Sequence, residues 1–337
     1  MQGGTALRIL LVSSYPPRHC GVGSYAHGQV GRLREEGHEV TVLSPPDGEG
    51  DVHVPFGNGR PFFRAARIGG RFDRIVVQFQ PSLYYPPRRP VAKVIASLGL
   101  LWLAVERGRR LELVVHEADP PKRWRPDYFL LAWALAQAGQ VSFHTRAEWQ
   151  ALERDYRIRV RGAVIEHRIE SGPRTDRDVA RQRLGIGPGD GPVFVCAGFL
   201  QPSKGFDRAV EAMAASGSTG ARLYIVGSIR EDTAENRDFV RALRERAREV
   251  PGVAVEERFL PDDEFDLWVS AADWLVIPYR RSWSSGMLAR AHALGVPAIV
   301  TAVGGLAEQA GAGDTVVEDD EGLRRAFGQA AGREALR

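Results

Sequence analysis

The sequence predicts an α/β protein made of two Rossmann-like domains that face each other across a cleft, and three observations support this fold class. Short β-rich runs alternate with helix-like segments through the first half of the chain. A charged stretch rich in proline and glycine interrupts the alternation, which then restarts. The chain has 337 residues, more than a single hydrophobic core usually serves.

The first predicted domain comprises residues 1–168. Its β-rich runs are RILLVSS, EVTVLS, RIVVQF, LELVVHE and QVSFHT, and a helix-like segment, GSYAHGQVGRLREEG, follows the first of them. Strands that alternate with helices form parallel sheets. Residues 169–190 are the predicted linker, because charge, proline and glycine are concentrated there.

The second predicted domain comprises residues 191–337. Its β-rich runs are PVFVCAG, ARLYIVGS, GVAVEERF, DWLVIP and PAIVTA. Its last helix is a candidate to pack back on the first domain. Open α/β sheets bind ligands beyond the carboxyl ends of their strands, so we expect the site in a cleft between the domains.

Composition indicates a protein of the cytoplasm. Hydrophobic residues make up 44% and charged residues 26% of the chain, as in ordinary globular proteins. The two cysteines, Cys20 and Cys196, are far apart, which argues against a disulfide framework or a zinc site. The start, MQGGTALRILLVSS, has one arginine before a short apolar run, so we interpret it as a first strand and not as a signal peptide.

The net charge of +3 is unevenly distributed, because residues 54–126 contain fourteen Lys or Arg and five Asp or Glu. Within this basic region, Arg60–Phe72 mixes arginines with phenylalanines and is a candidate for peripheral contact with the inner face of an anionic membrane; the alternative is a solvated segment over the core. Val91–Val105 is nearly all apolar but shorter than the roughly twenty residues of a membrane span, and is predicted to be a buried core helix. We expect no nucleic-acid partner, and the sequence does not predict an oligomeric state.

A glycine-rich turn follows the first strand. Gly21, Gly23 and Ala26 match the G-x-G-x-x-A pattern of dinucleotide-binding proteins. However, YPPRHC separates this pattern from the strand end, and the second strand lacks a carboxylate at its tip, which counts against an NAD(P)-dependent oxidoreductase. The remaining interpretations are a turn that lets backbone amides approach an anion, or a plain strand-to-helix turn.

Two helix starts in the second domain carry features that suit a diphosphate. Lys204 and Gly205 precede the helical FDRAVEAM, and a lysine there supplies a point charge to a phosphate. Ser284 or Ser285 is a candidate N-cap for GMLARAHAL, and Gly286 leaves the backbone amides of the first turn uncovered. The predicted amides are those of Gly286, Met287 and Leu288.

In this order, the motifs YPP…CGVGSYA, GFLQPSKGFDRAVEAM, LYIVGS, FLPDDEFDLWVSAADWLVIPY and SSGMLARAHALGVPAIVTAVGGLAEQ resemble the retaining GT-B glycosyltransferases of the family-4 type, glycosyl transferases group 1. The resemblance covers nearly the whole chain. It implies a nucleotide-sugar donor, with UDP, GDP or dTDP as the nucleotide, held mainly by the second domain, and a small-molecule acceptor held mainly by the first. It also implies retention of anomeric configuration, no metal ion and no further cofactor.

The resemblance also assigns roles to residues. It implies that His116 approaches the donor sugar and that Lys204 neutralises the leaving diphosphate; a satisfied histidine at a strand end is the alternative for His116. Phe259 and Leu260 stand at positions where, in the family, backbone atoms contact the nucleotide base. The other implied donor-binding residues are Gly21, Val22, Gly198, Phe199, Gly227, Ser282, Ser284, Ser285, Gly286, Met287 and Leu288.

Three positions depart from the family pattern. Phe199 stands where the family has an arginine that forms a clamp with the lysine, and Ser282 and Arg290 stand where it has two glutamates. Arg290 has three explanations: it replaces the missing phosphate charge and is then catalytic, the donor is a different one, or activity is lost. If Arg290 instead forms a salt bridge with a neighbouring helix, the first explanation fails, and Arg290→Glu is expected to alter little.

The sequence therefore predicts a metal-independent hexosyltransferase that retains anomeric configuration. Lys204, the amides at the helix start and Arg290 would stabilise the departing diphosphate. The alternative is a catalytically silent GT-B protein that acts as a binding or scaffold partner.

Overall fold

The computed structural model describes residues 5–18, 20–86, 88–117, 119–187, 191–217 and 220–334. The last three residues of the predicted linker, 188–190, and the outermost residues of both predicted domains lie outside these ranges. Contacts divide the chain into two compact units, Met1–Glu166 (unit 1) and His167–Arg337 (unit 2). Each unit has its own sheet.

Unit 1 contains a seven-stranded, fully parallel sheet in the order β3-β2-β1-β4-β5-β6-β7. The strands are β1 (Arg8–Val12), β2 (Glu39–Ser44), β3 (Val52–His53), β4 (Arg74–Phe79), β5 (Leu111–Val115), β6 (Gln140–Phe143) and β7 (Gly162–Val164). The helices are α1 (Gly21–Glu35), α2 (Arg60–Ile68), α3 (Pro81–Tyr84), α4 (Pro90–Arg107), α5 (Pro126–Gln137) and α6 (Arg146–Tyr156).

Unit 2 contains a six-stranded, fully parallel sheet in the order β10-β9-β8-β11-β12-β13. The strands are β8 (Val193–Ala197), β9 (Arg222–Gly227), β10 (Val253–Glu257), β11 (Trp274–Ile277), β12 (Ala298–Thr301) and β13 (Thr315–Val317). The helices are α7 (Arg177–Leu184), α8 (Phe206–Ala215), α9 (Ala234–Glu249), α10 (Asp262–Ala271), α11 (Gly286–Ala293), α12 (Leu306–Gln309) and α13 (Asp320–Glu334).

Both sheets have a switch point, where the order of strands changes direction. In unit 1 it lies between β1 and β4, and in unit 2 between β8 and β11. Connections leave in opposite directions from such a pair of strands, so a crevice opens at their carboxyl ends. The segments after β1, β8 and β11 are therefore the ones that the fold itself brings to a ligand.

Helix α7 corrects the predicted linker, since it lies inside residues 169–190 and belongs to unit 2. Asp176 caps α7 by accepting from the backbone N–H of Asp178. Arg177 and Arg181 both pair with the buried carboxylate of Asp273, at 2.7 and 2.5 Å. The charges in this stretch thus join a helix to the unit 2 core.

Two further helices differ from expectation. The last helix, α13, was a candidate to pack on the first domain, but it contacts α8 of unit 2, and Phe327 stacks on Phe194 with ring centroids 4.4 Å apart. Val91–Val105 was predicted to be buried, but α4 buries only one face, which includes Leu100 and Leu103. Among the described residues, no helix combines the length and hydropathy that crossing a membrane requires.

Candidate functional site

Strand β8 is followed directly by a glycine and strand β9 ends at one, so no side chain covers the backbone there. Gly198 and Gly227 have φ angles of 133° and 154°, which favour glycine. A Cβ atom on Gly227 would lie 1.7 Å from the carbonyl oxygen of Gly198. Any side chain at Gly227 would therefore push the two strand ends apart, and the sequence keeps this edge of the sheet open.

Lys204 lies at the switch point between β8 and β11. It ends a short 3-10 turn, Pro202–Lys204, and its Nζ sits 3.8 Å from the centre of the Tyr279 ring, which follows β11. Gly205 closes the turn at φ 62°, where a Cβ would lie 2.2 Å from the Pro278 carbonyl oxygen. This close backbone approach fixes the position of the lysine above the aromatic ring.

The ammonium of Lys204 is available to an anion. No carboxylate among the described residues lies within salt-bridge distance of it, and it is the one lysine in the sequence from 167 to 337. Two neighbouring arginines are instead committed to carboxylates: Arg280 pairs with Asp207 at 2.5 Å, and Arg208 with Asp320 at 2.5 Å.

Arg230 is a second cation near this edge, and sequence reasoning missed it. It follows β9, and its guanidinium carbon lies 5.6 Å from the centre of the Phe199 ring. The structure records no ion pair for it with any described residue. The sequence contained a signal for it, an arginine three residues after the glycine that ends LYIVG. Because β9 is the neighbour of β8 in the sheet, a residue that follows β9 lies near the residues that follow β8.

The start of α11 is capped by Ser285 rather than Ser284. The Ser285 hydroxyl accepts from the Leu288 N–H at 3.2 Å, and the Gln309 side chain bonds both the N–H and the carbonyl of Ser285. The Leu288 amide is therefore already used, which corrects its predicted role in ligand binding, and its side chain is buried. The amides of Gly286 and Met287 have no recorded acceptor among the described residues.

Four other predicted donor-binding residues lie in segments that follow strands β10 and β11. Met287 Cγ is 4.0 Å from the position that a Cβ of Gly198 would occupy, so the first turn of α11 faces the end of β8. The Ser282 hydroxyl donates to the Ser284 carbonyl at 2.8 Å, which shapes the loop before α11. Phe259 is 44% exposed in the segment after β10, whereas the side chain of Leu260 is buried in the unit 2 core.

Arg290 has a structural role, and the prediction that it replaces a missing phosphate charge is wrong. It is only 5% exposed. Its Nη1 contacts Asp266 at 2.5 Å and the Asp262 carbonyl at 2.9 Å, and its Nη2 contacts the Asp262 carboxylate at 2.6 Å. Both terminal nitrogens of the guanidinium thus bind α10, and neither is left for a ligand. We now expect Arg290→Glu to be destabilising, because it would bring three carboxylates together.

In unit 1, Gly21 begins α1 at the edge where β1 ends. No atom lies within 4 Å of the position that its Cβ would take, and the first turn contains no acidic residue. Cys20 precedes the helix without providing a side-chain cap, and it accepts a hydrogen bond from the Ser14 hydroxyl at 3.2 Å. Val22 is buried in the unit, so only its backbone lies near this helix start.

His116 directly follows β5 and is held by a chain of amides. Its Nε2 lies 2.7 Å from Gln78 Oε1, and Gln78 Nε2 donates to Gln29 Oε1 at 2.6 Å. Because the Gln78 oxygen faces the histidine, the His116 Nε2 carries the proton. The ring also packs edge-on against Tyr25, with centroids 4.9 Å apart. Burial raises the pKa of Tyr25 to about 12, so its phenol stays neutral.

The structure thus brings part of the predicted site together within each unit. In unit 2, the carboxyl edge of the sheet carries Lys204, Gly198, Gly227 and the start of α11. In unit 1, Gly21 and His116 both lie at the carboxyl edge of the sheet. A cation beside free helix-start amides is an arrangement suited to a phosphate.

Comparison with known proteins identifies this arrangement. Residues 191–332 match the family model of glycosyl transferases group 1. The chain carries a glycosyl transferases group 1 domain. The predicted resemblance to glycosyl transferases group 1 is therefore confirmed for residues 191–332, and this domain contains Lys204, both strand-end glycines and α11.

Two curated relatives illustrate what this chain is similar to. A 2-deoxystreptamine glucosyltransferase of Streptomyces kanamyceticus is 28% identical over 188 residues, which are 53% of this chain and 46% of that protein. The D-inositol 3-phosphate glycosyltransferase 1 of Catenulispora acidiphila is 31% identical over 253 residues, 70% of this chain and 56% of that protein. The chain spans about half the length of these relatives.

Solved structures of glycosyltransferases match nearly the whole chain. Sucrose-phosphate synthase from Thermosynechococcus elongatus has a TM-score of 0.71 at 18% identity, over 97% of this chain and 90% of its own. HepE from Anabaena, in complex with UDP-glucose, has a TM-score of 0.67 at 16% identity, over 98% of this chain and 95% of its own. The chain therefore has the GT-B fold of these structures, and the predicted fold class is confirmed.

Proposed function

We propose that this chain transfers a sugar from a nucleotide-sugar donor to an acceptor hydroxyl, with retention of anomeric configuration and without a metal ion. The observation that carries the proposal is the ammonium of Lys204, which lies without a carboxylate partner among the described residues at the switch point of a glycosyl transferases group 1 domain. HepE, a structural neighbour, has been solved with UDP-glucose, which supports a nucleotide sugar as the donor.

Unit 2 is the proposed donor domain. The bare strand ends at Gly198 and Gly227 would let the diphosphate approach the backbone, and the amides of Gly286 and Met287 at the start of α11 would donate to it. Lys204 adds a full positive charge. Charges that are already in place when the diphosphate leaves stabilise the transition state without reorganisation.

In the proposed reaction, the acceptor hydroxyl attacks the anomeric carbon on the face from which the diphosphate departs. The bond between that carbon and the phosphate oxygen breaks as the new glycosidic bond forms, and the hydroxyl proton passes to the departing phosphate. Attack on this face retains the configuration. Unit 1 is the proposed acceptor domain, and His116, whose Nε2 proton is held by Gln78, is the proposed group that faces the donor sugar.

The main alternative is a GT-B protein that binds a partner or ligand without catalysis. Three residues favour this alternative. Phe199 stands where the family has an arginine, and Ser282 and Arg290 stand where it has two glutamates. The Ser282 hydroxyl donates to its own loop, and Arg290 is bound to α10. UDP, GDP and dTDP remain candidates for the nucleotide.

Lys204→Ala tests the proposal. Purified protein is mixed with UDP-, GDP- and dTDP-sugars, and both the melting temperature and the release of nucleoside diphosphate are measured. We expect one nucleotide class to raise the melting temperature and to be turned over, with kcat falling about 100-fold or more in Lys204→Ala. Lys93→Ala, in unit 1, is the matched control and is expected to keep wild-type turnover.

The outcomes separate the two functions. Binding of a nucleotide sugar without turnover in any acceptor mixture supports the protein that binds without catalysis. No response to any donor contradicts both the proposed enzyme and the proposed donor site. If turnover is seen, the anomeric configuration of the product by NMR tests retention. Turnover unchanged by a chelator is the result expected for a metal-independent reaction.

A further inference from the structure

Helix α4 exposes a continuous apolar stripe. Val91, Ile95, Leu98, Trp102 and Val105 are spaced four, three, four and three residues apart, so they lie on one face of the helix. Their exposed fractions range from 38% for Trp102 to 71% for Val91. The opposite face is buried in unit 1. Helix α4 is therefore apolar on both sides, and one of these sides is largely exposed.

Helix α5 extends this stripe sideways, because α4 and α5 pack against each other. Phe129 and Trp133, one turn apart, are 62% and 57% exposed, and Trp124 just before the helix is 77% exposed. The one charged residue of α5, Asp127, is buried and paired with Arg125 at 2.8 Å. We call the exposed side chains of both helices, together with Trp124, the apolar face.

The exposed large hydrophobic side chains are concentrated in the apolar face. It contains eight of the twelve large hydrophobic side chains that are exposed among the described residues. Single exposed hydrophobic residues are normal on a protein surface, but a contiguous group usually marks a binding surface. Three of the eight are tryptophans, and tryptophan is enriched where proteins meet the headgroup region of a bilayer.

Positive charges border the apolar face. Arg88 and Arg89 precede α4, and Lys122 and Arg123 precede α5; all four are exposed. Both helices connect neighbouring strands of one parallel sheet, β4 to β5 and β5 to β6, so both begin at the same edge. These four cations therefore cluster at one end of the apolar face.

Helix α2 adds cations along the side. It packs against α4, with the Phe63 and Trp102 rings 5.6 Å apart. Arg60, Arg64 and Arg67 are exposed and share one helix face. No ion pair with a described residue is recorded for these three arginines or for the four cations at the helix starts. We call the seven cations the basic border.

The phenylalanines of α2 have a different role from the one predicted. Arg60–Phe72 was a candidate to lie on a membrane through both its arginines and its phenylalanines. However, Phe62 is fully buried in unit 1, and Phe63 packs against Trp102. Helix α2 thus supplies charge, and the apolar groups come from α4 and α5.

We propose that the apolar face and the basic border dock unit 1 on the surface of an anionic lipid bilayer. Apolar side chains would enter the boundary between headgroups and acyl chains, while the arginines and lysines pair with lipid phosphates. A second copy of the chain fits less well. A two-fold interface brings the same patch together twice, so the two basic borders would repel each other. An anionic bilayer has the complementary charge.

Vesicle flotation of the full chain tests the proposal, using vesicles of phosphatidylcholine alone and of phosphatidylcholine mixed with phosphatidylglycerol. We expect binding to the mixed vesicles, weaker binding to the neutral ones, and loss of binding as the salt concentration rises. The proposal does not rest on the proposed reaction, since it involves neither Lys204 nor the donor-binding loops.

Three double variants locate the surface. Phe129→Ser/Trp133→Ser is expected to weaken binding to mixed vesicles about tenfold or more, through lost apolar burial. Val91→Ser/Val105→Ser is expected to weaken it less. Val179→Ser/Val316→Ser removes two valines of unit 2, each 41% exposed, and is expected to bind like the wild type. All six side chains are exposed, and circular dichroism checks that the variants fold.

Charge reversal provides the second test. Arg64→Glu/Arg67→Glu on α2 is expected to weaken binding at least about fivefold per residue. Arg183→Glu/Arg248→Glu, at exposed positions of unit 2, is expected to leave it unchanged. Absence of binding to either vesicle, or equal binding by all variants, overturns the proposal. So does a dimer in lipid-free sedimentation that Phe129→Ser/Trp133→Ser dissociates, since the face would then serve a second copy.

Discussion

Lys204 and Arg230 are two cations near the strand ends of unit 2 that stack on aromatic rings. Lys204 lies over Tyr279, and Arg230 lies over Phe199, the residue that stands where the family has an arginine. Phe199 and Arg230 follow neighbouring strands, β8 and β9. We therefore expect Arg230, which follows β9, to supply the positive charge that Phe199, after β8, does not provide.

Arg230→Ala is expected to lower kcat with the preferred donor about tenfold, because one charge that stabilises the departing diphosphate is lost. Phe199→Arg in the same background is expected to recover part of this loss. The control is Arg183→Ala, far from the strand ends in sequence and exposed. If Arg230→Ala turns over donor at the wild-type rate, the compensation does not exist.

His144 is expected to make unit 1 sensitive to acid. It is 7% exposed beside the rings of Tyr25 and His116, and burial lowers its pKa from 6.5 to about 4. Between these values the unfolded chain binds a proton that the folded chain does not. Stability is therefore complete above about pH 6.5 and falls by about 1.4 kcal/mol per pH unit as the pH drops towards 4.

The measurement is the melting temperature as a function of pH. His144→Gln removes the titrating group, so the difference between variant and wild type should change across the window from pH 6.5 to 4 and stay constant above it. Parallel curves through that window would contradict the assignment of the low pKa to His144.

At the scale of elements, Arg290 links α11 to α10. Arg290→Met leaves the Asp266 carboxylate, whose side chain is 12% exposed, without its cation. Removing one partner of a buried ion pair costs about 3–5 kcal/mol, so the melting temperature is expected to fall by several degrees. Among folded molecules, KM for the donor should stay near the wild-type value, because Arg290 faces α10.

The double variant Arg290→Met/Asp266→Asn is the control. It removes the orphaned charge while the asparagine oxygen still accepts from the Gly172 N–H, which donates to Asp266 at 2.8 Å. We expect it to recover part of the lost stability. A large rise in KM with an unchanged melting temperature would instead return Arg290 to the donor site.

At the scale of the whole molecule, the proposed roles of the two units predict where a nucleoside diphosphate slows hydrogen exchange. Protection is expected in the turn Pro202–Lys204, after β9 and in the first turn of α11, because bound phosphate satisfies and orders these amides. Helices α4 and α5 should exchange as before. Protection confined to unit 1 would reverse the proposed donor assignment.

Much of the fold was predictable because long runs of β-branched and apolar residues alternate with helical segments. The quoted runs correspond to β1, β2, β4, β5 and β6 in unit 1 and to β8–β12 in unit 2. The short strands β3, β7 and β13 were missed, since two or three residues do not establish a period. Helix α7 was missed because its polar, arginine-rich sequence has few apolar positions to indicate a buried face.

The candidate site was predictable where a local motif specifies it. Lys204 with Gly205, and Ser285 with Gly286, are adjacent in sequence, so turn and capping chemistry could be inferred directly. Arg230 was not, because its position beside Phe199 depends on the pairing of β8 with β9. Arg290 was misassigned for the same reason, since its partners lie 24 and 28 residues away on α10.

The sequence by itself determined the two α/β units, the open strand ends and the lysine turn, because hydrophobic periodicity and glycine conformation are local properties. Tertiary structure alone decided what each charge does. Arg290 is held by α10, Arg230 lies over Phe199, and the apolar residues of α4 divide between a buried and an exposed face. Such partners are brought together by strand order and helix packing, which no short stretch of sequence records.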